Sequence, residues 1–199
     1  MTTTPRWLKA LQRPLGWIEI PNIAMIFVTL QGLGFLMVSY DPSWAYRLAL
    51  IPEAQRPVVT HQSGAKQIDA LRASYAAAGV QAELTPFIED TATAFAQADL
   101  VIARAGASTV TEIAAVGAAA LFVPFPFAVD DHQTTNARFL VEAGGAWLVT
   151  QSDLTAQMLA ERLAGLHRET LLACAERAYA QRKTNATREV VMACEELAA

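Results

Sequence analysis

Apolar and polar positions change period repeatedly along the chain, dividing it into alternating strands and helices. The series is clearest from Asp99 to Asn136. Leu100 to Ala103 is a continuous apolar run of strand length. Arg104-Ala105-Gly106-Ala107 is a turn of small residues, and Ser108 to Val116 carries apolar positions at helical spacing. Ala120 to Val123 reads as a second strand stopped by Pro124 and Pro126. A polar loop rich in Asp, His, Gln and Asn then leads into a helix from about His132 to Glu142. Such a unit is a parallel crossover whose two polar loops fall at one end of the sheet, where open α/β sheets take their ligands.

The same alternation continues on both sides. Pro57 to Thr60 reads as a strand. Ala65 to Ala78 reads as a helix, with Ile68, Leu71 and Tyr75 along one side and Gly79 as its left-handed terminator. Ala82 to Thr85 is the next strand, and Asp90 caps a helix through Ala96. After the turn Gly144-Gly145 comes a strand at Ala146 to Val149. Ser152 or Asp153 is then expected to cap the first of three terminal helices running to Leu197. Strands alternating with helices predict an α/β fold, a Rossmann-like parallel sheet with helices on both faces.

The N-terminal part has a different pattern. No charged residue falls between Glu19 and Asp41. Ile20 to Tyr40 would be roughly 31 Å long as a helix, close to the hydrocarbon thickness of a bilayer. The stretch predicts a membrane anchor flanked by Trp17, Tyr40 and Trp44, with a buried helical hairpin as the alternative. Arg6, Lys9 and Arg13 before it weakly favour a cytoplasmic N-terminus. Residues 1–48 are therefore expected to form an anchor segment foreign to a domain spanning 49–199.

Composition changes this picture little. A chain of 199 residues buries one full core, and a formal net charge of −4 gives no reason to expect nucleic acid as a partner. The mean hydropathy of +0.26 reflects the N-terminal stretch. Cys174 and Cys194 lie far apart on apolar helical faces without metal-ligand spacing, which predicts core packing in a reducing compartment.

Candidate chemistry gathers at the central turn. Gly106 and Ala107 leave the backbone N–H groups that open the following helix accessible, and those groups with the helix dipole suit a phosphate. Glu112, one turn further, is placed to accept hydrogen bonds from two ribose hydroxyls. Alternatively Thr109 and Glu112 form a capping box, in which Glu112 only satisfies a backbone donor.

GASTVTEIAAVG, ALFVPFP and DDHQTTNA, preceded by His61-Gln62-Ser63-Gly64 and Phe87-Ile88-Glu89-Asp90, resemble the donor-binding half of the MurG glycosyltransferases. These enzymes transfer N-acetylglucosamine from UDP to a lipid-linked muramyl-pentapeptide at the cytoplasmic face of the inner membrane. The resemblance runs from about Leu50 to the C-terminus and implies the C-terminal half of a GT-B fold. It implies that the Ile88 backbone meets the uracil edge with Phe87 beside it, and that Gly106, Ala107, Ser108 and Thr109 hold the diphosphate. Glu112 would take the ribose, Gln133 and Asn136 the sugar hydroxyls, and Ser63-Gly64 would lie near the phosphates. For Gln133 and Asn136 the alternative is a solvated helix start capped by Asp130 or Asp131.

The implied reaction is direct displacement with inversion at the anomeric carbon. The helix N-terminus at Ser108 would stabilise departing UDP, and neither a metal nor another cofactor is expected. The family's first glycine-rich strand and loop and its acceptor domain have no counterpart in the sequence, and none of His61, His132 and His167 matches the family's general base. The chain is thus expected to bind UDP-N-acetylglucosamine and to act on the lipid-linked acceptor only with an acceptor domain supplied. Alternatives are a non-catalytic subunit serving a separate acceptor-binding chain, an inactive fused or truncated product, and a dinucleotide-binding oxidoreductase module. The last lacks a GxGxxG opening a helix after a strand.

Overall fold

In the computed structural model, which describes residues 24–28, 43–127 and 131–198, the predicted alternation is realised. The strands are β1 (Ala24–Val28), β2 (Val58–Gln62), β3 (Glu83–Thr85), β4 (Leu100–Ala103), β5 (Ala120–Phe122) and β6 (Trp147–Leu148). The helices are α1 (Ser43–Ala49), α2 (Ile68–Ala78), α3 (Thr91–Gln97), α4 (Ala107–Val116), α5 (His132–Val141), α6 (Ala156–Ala164), α7 (Arg168–Ala180) and α8 (Ala186–Ala198). The strands form one parallel sheet in the order β3-β2-β1-β4-β5-β6.

Period-two alternation along the buried strands divides the core into two layers. Leu100, Ile102 and Leu121 join Leu48, Leu71, Tyr75, Leu159 and Cys174 in one cluster, to which α1, α2, α6 and α7 contribute. Val101, Ala103 and Phe122 join Phe95, Val110, Ile113 and Leu140 in the other, built from α3, α4 and α5. The sheet is therefore covered on both faces. Helix α7 reaches the second layer through Ala178, which packs so closely on the turn before β6 that a Cβ at Gly145 would lie 2.6 Å from the Ala178 nitrogen.

The N-terminal expectation is corrected where the structure describes it. Ala24–Val28, inside the stretch read as an anchor helix, is a strand that pairs with β2 on one side and β4 on the other. Among the described residues no helix is long and apolar enough to cross a membrane. The place of a first strand, expected to be empty, is taken by β1. The division expected after residue 48 falls within α1, whose Ala45 and Leu48 are buried in the same cluster as Ile51 and Val59. Trp44, read as an interfacial aromatic, packs against that cluster and has the Arg47 guanidinium 4.9 Å from its ring. Trp17 and Tyr40 lie outside the described residues.

Other boundaries move for local reasons. The first terminal helix is capped by Thr155, whose hydroxyl accepts from the Met158 N–H at 3.1 Å. Ser152 and Asp153, the expected caps, are instead bonded to the Thr150 hydroxyl at 2.8 and 2.6 Å in the preceding turn. Asp90 caps α3 as expected, and Gly79 ends α2 with φ of 63°. Of the two cysteines, Cys174 is buried and Cys194 is exposed, which corrects the expectation of core packing for the second.

Candidate functional site

Strand register gathers the candidate residues. Thr85, Gln62, Val28, Ala103, Phe122 and Leu148 lie in one row across the sheet, and each strand ends there. The loops after β2, β3, β4, β5 and β6 therefore open at a single edge. In this strand order the crossovers diverge on either side of β1 and β4, and such a switch point leaves a crevice beyond the strand ends.

The turn after β4 supplies the anion-seeking groups. Gly106 is the N-cap of α4, with φ −63° and ψ 148°, and no side chain caps the helix. The first bond into the helix runs from the Val110 N–H to the Gly106 carbonyl at 3.0 Å. The N–H groups of Ala107, Ser108 and Thr109 thus precede the helical ladder, and Ala107 and Ser108 are exposed. A Cβ at Gly106 would meet nothing nearer than the Thr109 Oγ1 at 3.7 Å. Neither backbone strain nor internal crowding demands glycine there.

The capping-box alternative is not realised. Thr109 lies inside α4 and is 2 % exposed, so it is not the N-cap that Glu112 would have to reciprocate. Glu112 is half-buried and takes part in no hydrogen bond or ion pair among the described residues.

Helix α5 ties the neighbouring loops together. Gln133 Oε1 accepts from the Phe125 N–H at 2.9 Å, and Asn136 Nδ2 donates to the Ala105 carbonyl at 3.1 Å. The N-cap Asp131 sits at φ 51° and makes no side-chain capping bond, while Asp130 lies outside the described residues. The helix start is exposed, as the alternative reading had it, but the Asp131 side chain does not cap it.

The loops after β2 and β3 meet as well. Ser63, 5 % exposed, donates its N–H to the Thr85 carbonyl and its hydroxyl to the Gly64 carbonyl, both at 3.3 Å. Gly64 has φ of 84°, a conformation favouring glycine. Phe87 is 62 % exposed, and the Ile88 N–H donates to Gln62 Oε1 at 3.3 Å. Beneath them, His61 Nδ1 lies 3.0 Å from the Tyr75 hydroxyl with the rings edge to face. Burial pushes the His61 pKa down to about 4 and the Tyr75 pKa up. His61 is a neutral core residue near neutral pH. His132 is exposed at the start of α5.

Two residues at this edge escaped sequence reasoning. Arg104 Nη1 donates to the carbonyls of Val123 and Pro124 at 3.0 and 2.9 Å, and its Nη2 donates to Gln151 Oε1 at 2.7 Å. Its guanidinium also lies 5.5 Å from the Phe125 ring. One side chain thereby joins the loops after β4, β5 and β6. The other is Gln62, a polar residue 4 % exposed at the end of a strand. A charged residue in a turn of small residues, and an amide closing an apolar strand, were the available signals. Among the described residues no group of three or more His, Cys, Asp or Glu side chains could hold a metal ion.

Strand order and edge loops define a Rossmann-like α/β domain with a parallel sheet. Over residues 46–192 the chain matches the glycosyltransferase family 28 C-terminal domain, and it belongs to that family. It is 73 % identical over 151 residues to a UDP-N-acetylglucosamine–N-acetylmuramyl-(pentapeptide) pyrophosphoryl-undecaprenol N-acetylglucosamine transferase of Polaromonas sp., covering 76 % of this chain and 39 % of that one. It is 71 % identical over 152 residues to the enzyme of the same name from Paracidovorax citrulli, covering 76 % of this chain and 43 % of the relative. Among solved structures it is similar to Acinetobacter baumannii MurG, with a TM-score of 0.72 and 36 % identity over 87 % of this chain and 52 % of that one. The calicheamicin glycosyltransferase CalG4, at 16 % identity and a TM-score of 0.59 over 93 % of this chain and 47 % of that one, shares the fold. The chain spans about two fifths of the length of the curated relatives it matches.

Proposed function

We propose that this chain is the donor-binding part of an inverting hexosyltransferase of peptidoglycan synthesis, with UDP-N-acetylglucosamine as donor and a lipid-linked muramyl-pentapeptide as acceptor. The observation that carries the reading is the pairing, on one helix, of an uncapped N-terminus at Gly106 with the unengaged carboxylate of Glu112. The first suits a diphosphate and the second a ribose. Residues 49–199 hold all the groups involved. The Ile88 loop would face the uracil, Ser63-Gly64 would lie near the phosphates, and Gln133 and Asn136 would meet the sugar hydroxyls.

As UDP departs, its developing negative charge would face the N–H groups of Ala107, Ser108 and Thr109, an arrangement already oriented before reaction. Transfer also requires the acceptor hydroxyl held in line with the anomeric carbon and a base for its proton. Fixing two reactants in that way is worth roughly 7–11 kcal/mol of barrier. We assign the acceptor site and the base to sequence beyond this chain, because the matched part of the chain covers only 39 % and 43 % of these two relatives. Such an enzyme works at the cytoplasmic face of the membrane that carries its lipid acceptor.

Calorimetric titration with UDP and UDP-N-acetylglucosamine tests the donor site, and transfer of radiolabelled sugar to the lipid acceptor tests turnover. The chain alone is expected to bind the nucleotide and not to transfer the sugar, with some transfer appearing when a MurG-type acceptor domain is added. Absence of UDP binding refutes the donor site, and robust turnover by the 199-residue chain alone refutes the assignment of the base to another segment.

A further inference from the structure

The sheet ends at β6, and the far edge of that strand is open. Trp147 and Leu148 pair with β5 on one side and, among the described residues, with no strand on the other. The Val149 N–H donates to the Phe122 carbonyl of β5 at 2.9 Å. Backbone groups of successive residues turn to opposite sides of a strand, so the N–H and carbonyl of Leu148 face away from β5. A groove of about 730 Å³ runs along this edge. It touches Ala146, Trp147 and Leu148 in succession, Val141 and Gly144 at the end of α5, and Arg162 and Arg177 on α6 and α7. Helix α5 covers one face of the sheet and α6 and α7 mainly the other, so a groove that reaches all three straddles the strand edge.

Neither Arg162 nor Arg177 engages its guanidinium in a hydrogen bond or ion pair among the described residues. A Cβ at Gly144 would lie 3.2 Å from Arg177 Cδ and 3.4 Å from its Nη1, so that side chain is laid over the turn that leads into the strand. The groove sets one carboxylate, Glu169, against the two cations. We propose that this edge binds an extended acidic segment of a partner protein, which adds a strand beside β6. Open backbone groups accept an added strand, and unengaged guanidiniums accept carboxylates. Side chains of an added strand alternate between its two faces, so a segment alternating acidic and apolar residues suits an edge flanked by arginines and by Val141. A second copy of this chain does not meet that description. Two β6 edges placed together would bring two arginines and one glutamate from each copy into a single seam.

Fluorescence anisotropy of a labelled peptide alternating Glu and Val, titrated with the full chain, tests this. A Lys–Val counterpart and a Glu–Val form N-methylated at its backbone amides serve as controls. The Glu–Val peptide should bind, and each control should bind at least about tenfold more weakly, the first for want of carboxylates and the second for want of backbone donors. Arg162→Glu and Arg177→Glu should each weaken the Glu–Val peptide about tenfold while the melting temperature stays near that of the unaltered chain. The double substitution should turn the preference toward the Lys–Val peptide. Arg162→Glu and the N-methylated peptide decide the matter even if Arg177→Glu, whose stem lies on Gly144, does not fold. Failure of the Glu–Val peptide to bind overturns the proposal. So does equal binding of the N-methylated form, which would leave surface charge attraction alone, or binding that both arginine variants leave unmoved. Displacement of the peptide by phosphatidylglycerol vesicles would assign the groove to lipid headgroups, and a dimer in sedimentation that Arg162→Glu alters would assign it to a second copy; either result sinks the acidic-segment reading.

Discussion

Asn136 on α5 donates its side-chain amide to the Ala105 carbonyl at 3.1 Å, so the helix after β5 holds the turn that opens α4. A side chain proposed to meet the sugar is thus also a brace for the phosphate turn. Asn136→Ala should lower stability by about 1 kcal/mol and weaken UDP-N-acetylglucosamine more than UDP. Parallel melting curves and titrations with the two ligands separate these effects. Equal weakening of both ligands would leave Asn136 a brace alone.

Glu112 offers the opposite case, since it braces nothing among the described residues. Glu112→Ala should reduce UDP affinity by roughly 1–3 kcal/mol through loss of a charge-assisted hydrogen bond, while the melting temperature stays within a degree or so. Retained affinity with a lowered melting temperature would return Glu112 to a structural role.

Stability should depend on pH through His61. Its folded pKa of about 4 lies below the ordinary imidazole value of 6.5, so the unfolded chain binds more protons between those values. The stabilisation from keeping the ring neutral is complete above the unfolded pKa and is lost as pH falls toward 4. It amounts at most to roughly 3 kcal/mol. Denaturant titrations from pH 7.5 to 4.5 should show a decline that His61→Gln flattens.

Gly145 should tolerate no side chain. A Cβ there would lie 2.7 Å from the Ala178 Cα as well as against its nitrogen, and backbone of a packed helix cannot step aside. Gly145→Ala should cost about 1–3 kcal/mol, seen as a fall of several degrees in melting temperature, with UDP affinity of the folded fraction unchanged.

These residues also show what the sequence discloses by itself. The β4–α4–β5 unit was legible because Leu100–Ala103 is buried on both faces and small residues punctuate it. The Asp90 cap was legible because its chemistry is local: its carboxylate accepts from the Thr93 N–H and hydroxyl at 2.9 and 2.6 Å, which holds its pKa below the usual range. Strand β1 was not legible, because an interior parallel strand is a continuous apolar run that periodicity cannot distinguish from part of a longer apolar helix. Thr155, Ser152 and Asp153 are all good capping residues, and only the turn at Thr150 decides among them. The roles of Arg104 and Gln62 arise from partners on other strands' loops, which local pattern does not reveal.

The inner position of β1 has a consequence for how the chain folds. Ala24–Val28 leaves the ribosome before either of its neighbours, yet Met25 must pair with Val59 on one side and with Leu100 on the other. The two flanking groups, β2 with β3 and β4 with β5 and β6, can each form early from close neighbours in sequence. They become one sheet only when β1, whose partner β2 is the next strand along the chain, also pairs with the distant β4. Non-local closure of that kind slows folding and leaves an apolar strand waiting while the remainder is made. Synthesis of this chain should therefore depend on a holding chaperone more strongly than its size suggests.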